Sequence, residues 1–167
     1  MAVDIFLKIE GIEGEAQDKA HAKEIDVLAW NWGASQSGTT HTGGGAGAGK
    51  ANVQDISVTK WVDSSSALLL KFLVTGTHIG KARLVVRKAG QKPLEYINIS
   101  MEDVLITSIA TGGSGGEERL TENISLNFAR VGYFYTPQKA DGSGEPDKEM
   151  SYDIAKNDAD TKVTKQQ

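Results

Sequence analysis

Thr111 to Pro137, TGGSGGEERLTENISLNFARVGYFYTP, decides the fold. A glycine-rich hinge leads into a long segment whose apolar phase changes midway. Ile124, Leu126 and Phe128 share one parity, while Val131, Tyr133 and Tyr135 share the other. Successive side chains of a strand point to opposite faces, so the change requires either a bulge or a turn of the strand onto a second sheet. Large apolar side chains stand on both sides of it. A strand that bends and buries surface on each side of the bend belongs to a β-barrel or sandwich, or to an assembly of them.

The same alternation recurs toward the N-terminus. Val3, Ile5, Leu7 and Ile9 mark a first strand, and the polar residues 11–23, with Gly11 and Gly14, mark a loop. In EIDVLAWNWGASQ, Ile25, Val27 and Ala29 define one face and Leu28, Trp30 and Trp32 the other. Such a two-faced strand is either central in a sandwich or covered by a neighbouring subunit. Ser37 to Ala51 is a long glycine-rich excursion with nothing to bury, and Val53 to Val62 returns to strand. The period then changes: Asp63 and Ser64 to Ser66 offer an N-cap, Leu69, Phe72 and Leu73 follow at helical spacing, and Gly76 supplies a stop. Leu68 and Leu70 widen the apolar surface of this one helix beyond a single stripe.

Four further strands are expected over 81–88, 94–101, 103–110 and 120–136, with a hairpin turn from Ala89-Gly90 through Pro93. After Pro137 a turn-rich linker leads to a last short strand near MSYDIAKN. The expected fold is mainly β, a two-sheet barrel or sandwich with one flanking short α-helix. It forms a single domain over residues 1–156, and 157–167 is a polar, disordered tail.

The 167 residues suit one domain, and a hydrophobic fraction of 39% supplies a core. No run approaches the ~20 apolar residues of a membrane-spanning helix, so no membrane insertion is expected. The opening MAVDIFLKIEGIEGE has no basic leader and does not read as a Sec signal. A net charge of −4 argues against general nucleic-acid binding. With no cysteine, disulfides, thiolate catalysis and cysteine metal sites are excluded.

Three motifs carry other chemistry at first sight. Gly44 to Lys50 fits G-x-x-x-x-G-K, but Ala51 cannot hold magnesium, and the strand-like residues that follow replace the helix a phosphate loop needs. Gly112 to Gly116 fits G-x-S-x-G around Ser114. All three histidines (His21, His41 and His78) precede it, and a strand follows where the nucleophile elbow needs a helix. The histidines show no metal-ligand spacing. Trp30, Trp32 and Trp61 suit a sugar or base platform, or else core and interface packing. The reading is of a protein that is not an enzyme and needs no cofactor or metal.

EIDVLAWNWGASQSG, the glycine loop before NVQDISVTK, the lone helix, and TGGSGGEERLTENISLNFARV occur in one order and at close spacing. Together they resemble the Hcp (haemolysin-coregulated protein) family of bacterial type VI secretion systems, from Ala2 to about Pro137 and on toward Lys156. The resemblance implies a two-sheet barrel flanked by a helix, and six subunits closed into a ring. It implies rings stacked into a hollow tube inside a contractile sheath, ejected with a spike tip and carrying toxic effectors in the lumen. Export would proceed from the bacterial cytoplasm, without a Sec signal, to the outside or to a target cell. It assigns Gly43, Gly44, Gly45, Gly47, Gly49 and Lys50 to ring stacking. Trp30, Trp32, Leu69, Phe72, Leu73 and Phe128 are expected in core or subunit interfaces. The competing expectation is a monomeric β-sandwich module that binds carbohydrate or a partner protein through the strand tryptophans.

Overall fold

Alternating apolar residues produce nine strands among the residues that the computed structural model describes, 2–38, 41 and 49–167. They are β1 (Val3–Ile9), β2 (Ile25–Asn31), β3 (Ala34–Ser35), β4 (Asn52–Val53), β5 (Ile56–Trp61), β6 (Ile79–Lys88), β7 (Leu94–Thr111), β8 (Thr121–Tyr135) and β9 (Lys148–Asp153). The helix α1 (Ser66–Thr75) lies between β5 and β6 and packs on β7. The main sheet runs β5-β2-β1-β6-β7-β8-β9, and β5 also pairs with β8, so six antiparallel strands close into a barrel. Closure removes two sheet edges that would otherwise recruit other strands.

The parity change in β8 coincides with a change of partner. Thr121 to Leu126 pair with β5 and close the barrel, whereas Arg130 to Tyr135 pair with β9 beyond the closure. Across the bend β7 shifts phase together with β8. Ile99 and Met101 are buried on one parity, Val104 and Ile106 on the other. The ladder stays in register, with Met101 opposite Val131 and Val104 opposite Phe128. Asp103 takes up the turn with φ 54°, a left-handed conformation that aspartate tolerates better than most residues. Residues 94–101 and 103–110 are therefore one 18-residue strand rather than the two expected. A phase shift inside a continuous strand looks, in sequence, like a break.

A bulge corrects the reading of β2. The register shifts between Val27 and Ala29, so Leu28 is an extra residue. Trp30 then pairs with Val58 and packs toward the core with Ile25 and Val27, while Leu28 is exposed. The two apolar faces seen in the sequence are largely one face, re-aimed midway.

The interior holds Leu7, Ile25, Ile56, Leu84, Ile99 and Leu126, all fully buried. Helix α1 adds Leu69. Its C-terminus is closed by Gly76 at φ 61°, whose N–H donates to the Leu73 carbonyl while Thr77 N–H donates to that of Phe72. At the other end Ser65 is the N-cap residue, but contrary to expectation its side chain makes no capping bond. The turn is held instead by the Asp63 carboxylate, which accepts the Ser65 N–H at 2.9 Å, and by Ser66 Oγ, which accepts the Asp63 N–H at 3.0 Å.

A second layer covers the outside of β1, β6, β7 and β8. Arg83, Val85 and Arg87 point outward yet are buried, alongside Phe6, Asn98, Ser100 and Phe134. The loop after β1 covers one part: His21 stacks on Phe6 with ring centroids 4.3 Å apart. The segment 157–167, expected to be disordered, covers the other. Val163 is 2% exposed, and Gln166 bonds to Asn98, Ser100 and Met101. Polar side chains on the outer face of β7 fix this segment through its backbone, which its own polar composition does not reveal.

Candidate functional site

The surfaces that the chain offers are best built from the ends of β2 inward. Trp32 Nε1 donates to the Gln54 carbonyl at 3.0 Å, and Gln54 N–H donates to the Gly33 carbonyl at 2.9 Å. Beyond this clasp β3 and β4 form a two-residue ladder, Ala34 opposite Val53 and Ser35 opposite Asn52. That ladder belongs to a separate small sheet, and it carries the glycine excursion. Of the residues assigned to stacking, Gly49 and Lys50 are described and exposed, with Gly49 N–H directed at the Ser37 carbonyl. Gly43, Gly44, Gly45 and Gly47 lie outside the described residues.

Leu69 and Phe128 sit in the core, whereas Trp30, Trp32, Phe72 and Leu73 are partly buried and pack against it. The Trp32 ring meets Phe128 edge-on and stacks near Tyr133, each at 6.2 Å between centroids. Trp61 carries the Arg119 guanidinium over its ring at 4.5 Å. Two of the three tryptophans thus have neighbours on their rings, which disfavours a flat platform for sugar stacking. Apolar side chains remain uncovered elsewhere. Val74 is 70% and Leu70 49% exposed on α1, and Leu28, Leu105 and Met150 are exposed on β2, β7 and β9.

Ionic clusters occupy two buried places. At one, the Lys60 ammonium bonds Glu122, approaches Asp63 at 3.0 Å and donates to the Trp61 carbonyl at 2.8 Å, while Ser66 donates to Glu122 at 2.6 Å. This ties the end of β5 to β8 and to the start of α1. At the other, His21 lies between Glu24 (3.0 Å) and Glu95 (2.7 Å), and Arg83 bonds Glu24. Next to it Arg87 bridges Asp18 (3.0 Å) and Asp4 (2.9 Å). The Arg87 guanidinium holds the Asp18 carboxyl down at about 2, and these carboxylates raise Arg87 in turn. Sequence reading missed both clusters, because their members lie in different elements.

The shapes of reactive motifs do not persist. Residues 52–61, after the Gly44–Lys50 pattern, form strands rather than a phosphate-binding helix. Ser114 lies in an exposed turn before strand β8. A cleft of about 390 Å³ is lined by Glu15, Gln17, Asp26, Trp61, Asp63 and Arg119. Burial pushes the Asp26 carboxyl up, with Arg119 opposing. These side chains supply carboxylates and a cation but no hydroxyl or thiol nucleophile. Among the described residues no group of three His, Cys, Asp or Glu is placed to hold a metal, and no helix is long and apolar enough to cross a membrane.

Among the described residues, a closed six-stranded barrel, one short helix, a separate two-stranded ladder and exposed apolar side chains define a class of small mainly β barrels. The family described as "Type VI secretion system effector, Hcp" matches residues 6–135, and the chain belongs to that family of type VI secreted tube proteins. It is 57% identical over 144 residues to Protein hcp1 of Pseudomonas aeruginosa, across 86% of this chain and 89% of that protein. The crystal structure of Hcp1 from Salmonella typhimurium aligns with a TM-score of 0.78 at 36% identity, covering 95% of this chain and 99% of that one. A structure described as a type six secretion system protein aligns at 0.88 with 28% identity, covering 94% and 99%.

Proposed function

We propose that this chain is a non-enzymatic subunit that closes in sixes into a ring, and that the rings stack into a hollow tube carrying effector cargo. The observation that carries this reading is the identity to Protein hcp1, which spans most of both chains. The structure adds physical support of two kinds. Leu28, Leu70, Val74, Leu105 and Met150 leave apolar area on several sides of the subunit, as a heterologous ring requires: one patch meets a different patch of the next copy, and rotation closes the series. The β3–β4 ladder, a sheet separate from the barrel, joins the two ends of the glycine excursion, a segment with nothing to bury that is free to serve contacts between rings.

In this account Gly43, Gly44, Gly45, Gly47, Gly49 and Lys50 stack one ring on another, and Trp30, Trp32, Phe72 and Leu73 support the surfaces between subunits. The contractile sheath, a spike tip protein and effectors are the remaining partners. Assembly takes place in the bacterial cytoplasm and export bypasses the Sec route. Negative-stain microscopy of purified protein tests the ring directly. Closed annuli with six repeats are expected, and a field of single barrels at micromolar concentration would contradict the reading.

A further inference from the structure

The segment after β9 is held in a manner that resembles ligand recognition more than chain packing. Residues 159–167 have no regular secondary structure and no strand pairing. Two outward side chains of β7 instead bind the backbone of one residue. Asn98 Nδ2 donates to the Gln166 carbonyl at 3.0 Å, and the Gln166 N–H donates to Ser100 Oγ at 3.0 Å. Ser100 is itself oriented by donating to Asn98 Oδ1 at 2.7 Å, and both side chains are buried. The Gln166 side chain then donates to the Met101 carbonyl at 3.0 Å.

Three residues earlier, Val163 is buried and its N–H donates to Ser151 Oγ at 3.1 Å. The floor there is Gly132. A Cβ at that position would lie 2.7 Å from the Phe134 ring and 3.2 Å from Val163 Cβ, so the glycine lets the Phe134 ring and the valine pack closely over the strand. Between them, Lys165 Nζ meets Asp147 at 2.8 Å. The groove therefore reads a valine, a lysine two residues on and a glutamine after that, together with the backbone of the glutamine.

We propose that the outer groove of β7, β8 and β9 is a peptide-binding site for the spacing Val-x-Lys-Gln, occupied in this chain by its own residues 163–166. The occupant is separable because the preceding Ala159 and Asp160 are exposed and the barrel closes without it. Buried Asn98 and Ser100 select the segment, since leaving either without its partner strands a polar group. This inference does not rest on the ring.

The test uses the full chain with a specific protease site inserted between Ala159 and Asp160. After cleavage, a fluorescent peptide of residues 160–167 is added and anisotropy followed. Saturable exchange into the nicked protein is expected, with no uptake by the uncut chain. Ser100→Ala and Asn98→Ala in the protein, and Val163→Asp in the peptide, should each weaken binding about tenfold or more. Far-ultraviolet circular dichroism is recorded in parallel. A folded nicked protein that takes up no peptide overturns the proposal, as does uptake indifferent to these substitutions. Loss of the barrel on cleavage also overturns it, because the segment would then be part of the fold and not a ligand.

Discussion

Lys60 is a fully buried cation, and its environment explains why it is tolerated. Glu122 and Asp63 supply opposite charge, and Ser66 and the Trp61 carbonyl take further contacts. Removing one member leaves uncompensated buried charge, which costs more than the intact pair contributes. Lys60→Met should lower unfolding free energy by about 3–5 kcal/mol. Lys60→Met with Glu122→Leu should regain part of it, and urea titration checks both. On the outer layer, the Arg87 guanidinium holds the Asp18 carboxyl at about 2 in the folded chain, below its ordinary value of 3.8. A depressed acid stabilises the fold fully above 3.8, and that contribution disappears as pH falls from 3.8 to about 2. Carboxyl chemical shifts should therefore titrate below 3.8 for Asp18. Asp18→Asn should flatten the fall in melting temperature over that window. An unshifted carboxyl would show that Arg87 does not hold it. These clusters escaped the sequence because they join distant residues: His21 and Glu95 lie 74 apart, Arg83 and Glu24 59 apart. Nothing local marks such a pair.

At the scale of elements, α1 was legible because its cues are local: apolar spacing, serines before it and Gly76 after it. Leu69 is buried on it, whereas Phe72 is only partly so. Leu69→Asp should unfold the domain or abolish assembly, because an unpaired carboxylate would enter the core. Phe72→Asp should act in the same direction but less severely, and thermal melts followed by gel filtration rank the two. Soluble native rings from Leu69→Asp would contradict the helix packing. The strand phases were half legible. The bend in β8 was visible as a parity change, yet the matching shift in β7 at Asp103 read as a gap, and the bulge at Leu28 read as a second apolar face. Alternation reports faces only while the strand neither bends nor bulges. The stacking assignment is tested by deleting Gly43 to Gly49. Rings should persist, and tubes should become shorter or fall apart at lower dilution. Tubes as durable as those of the parent would remove the loop from ring contacts.

At the scale of the whole molecule, the closed barrel satisfies the strand edges of β5 and β8 within one subunit, and the loop after β1 and the segment 157–167 cover much of the outer face. The physical case for a neighbouring copy is thus narrower than two-faced strands suggested. It rests on exposed residues of α1, β2, β7 and β9 and on kinship with Hcp proteins. The bound segment 157–167 was invisible to sequence reading because hydrogen bonds to Asn98 and Ser100, not apolar content, fix it. Light scattering coupled to gel filtration tests the central claim most directly. The account predicts a particle of six 17.8 kDa subunits that persists on dilution through the micromolar range. A mass of one subunit at every concentration would contradict it.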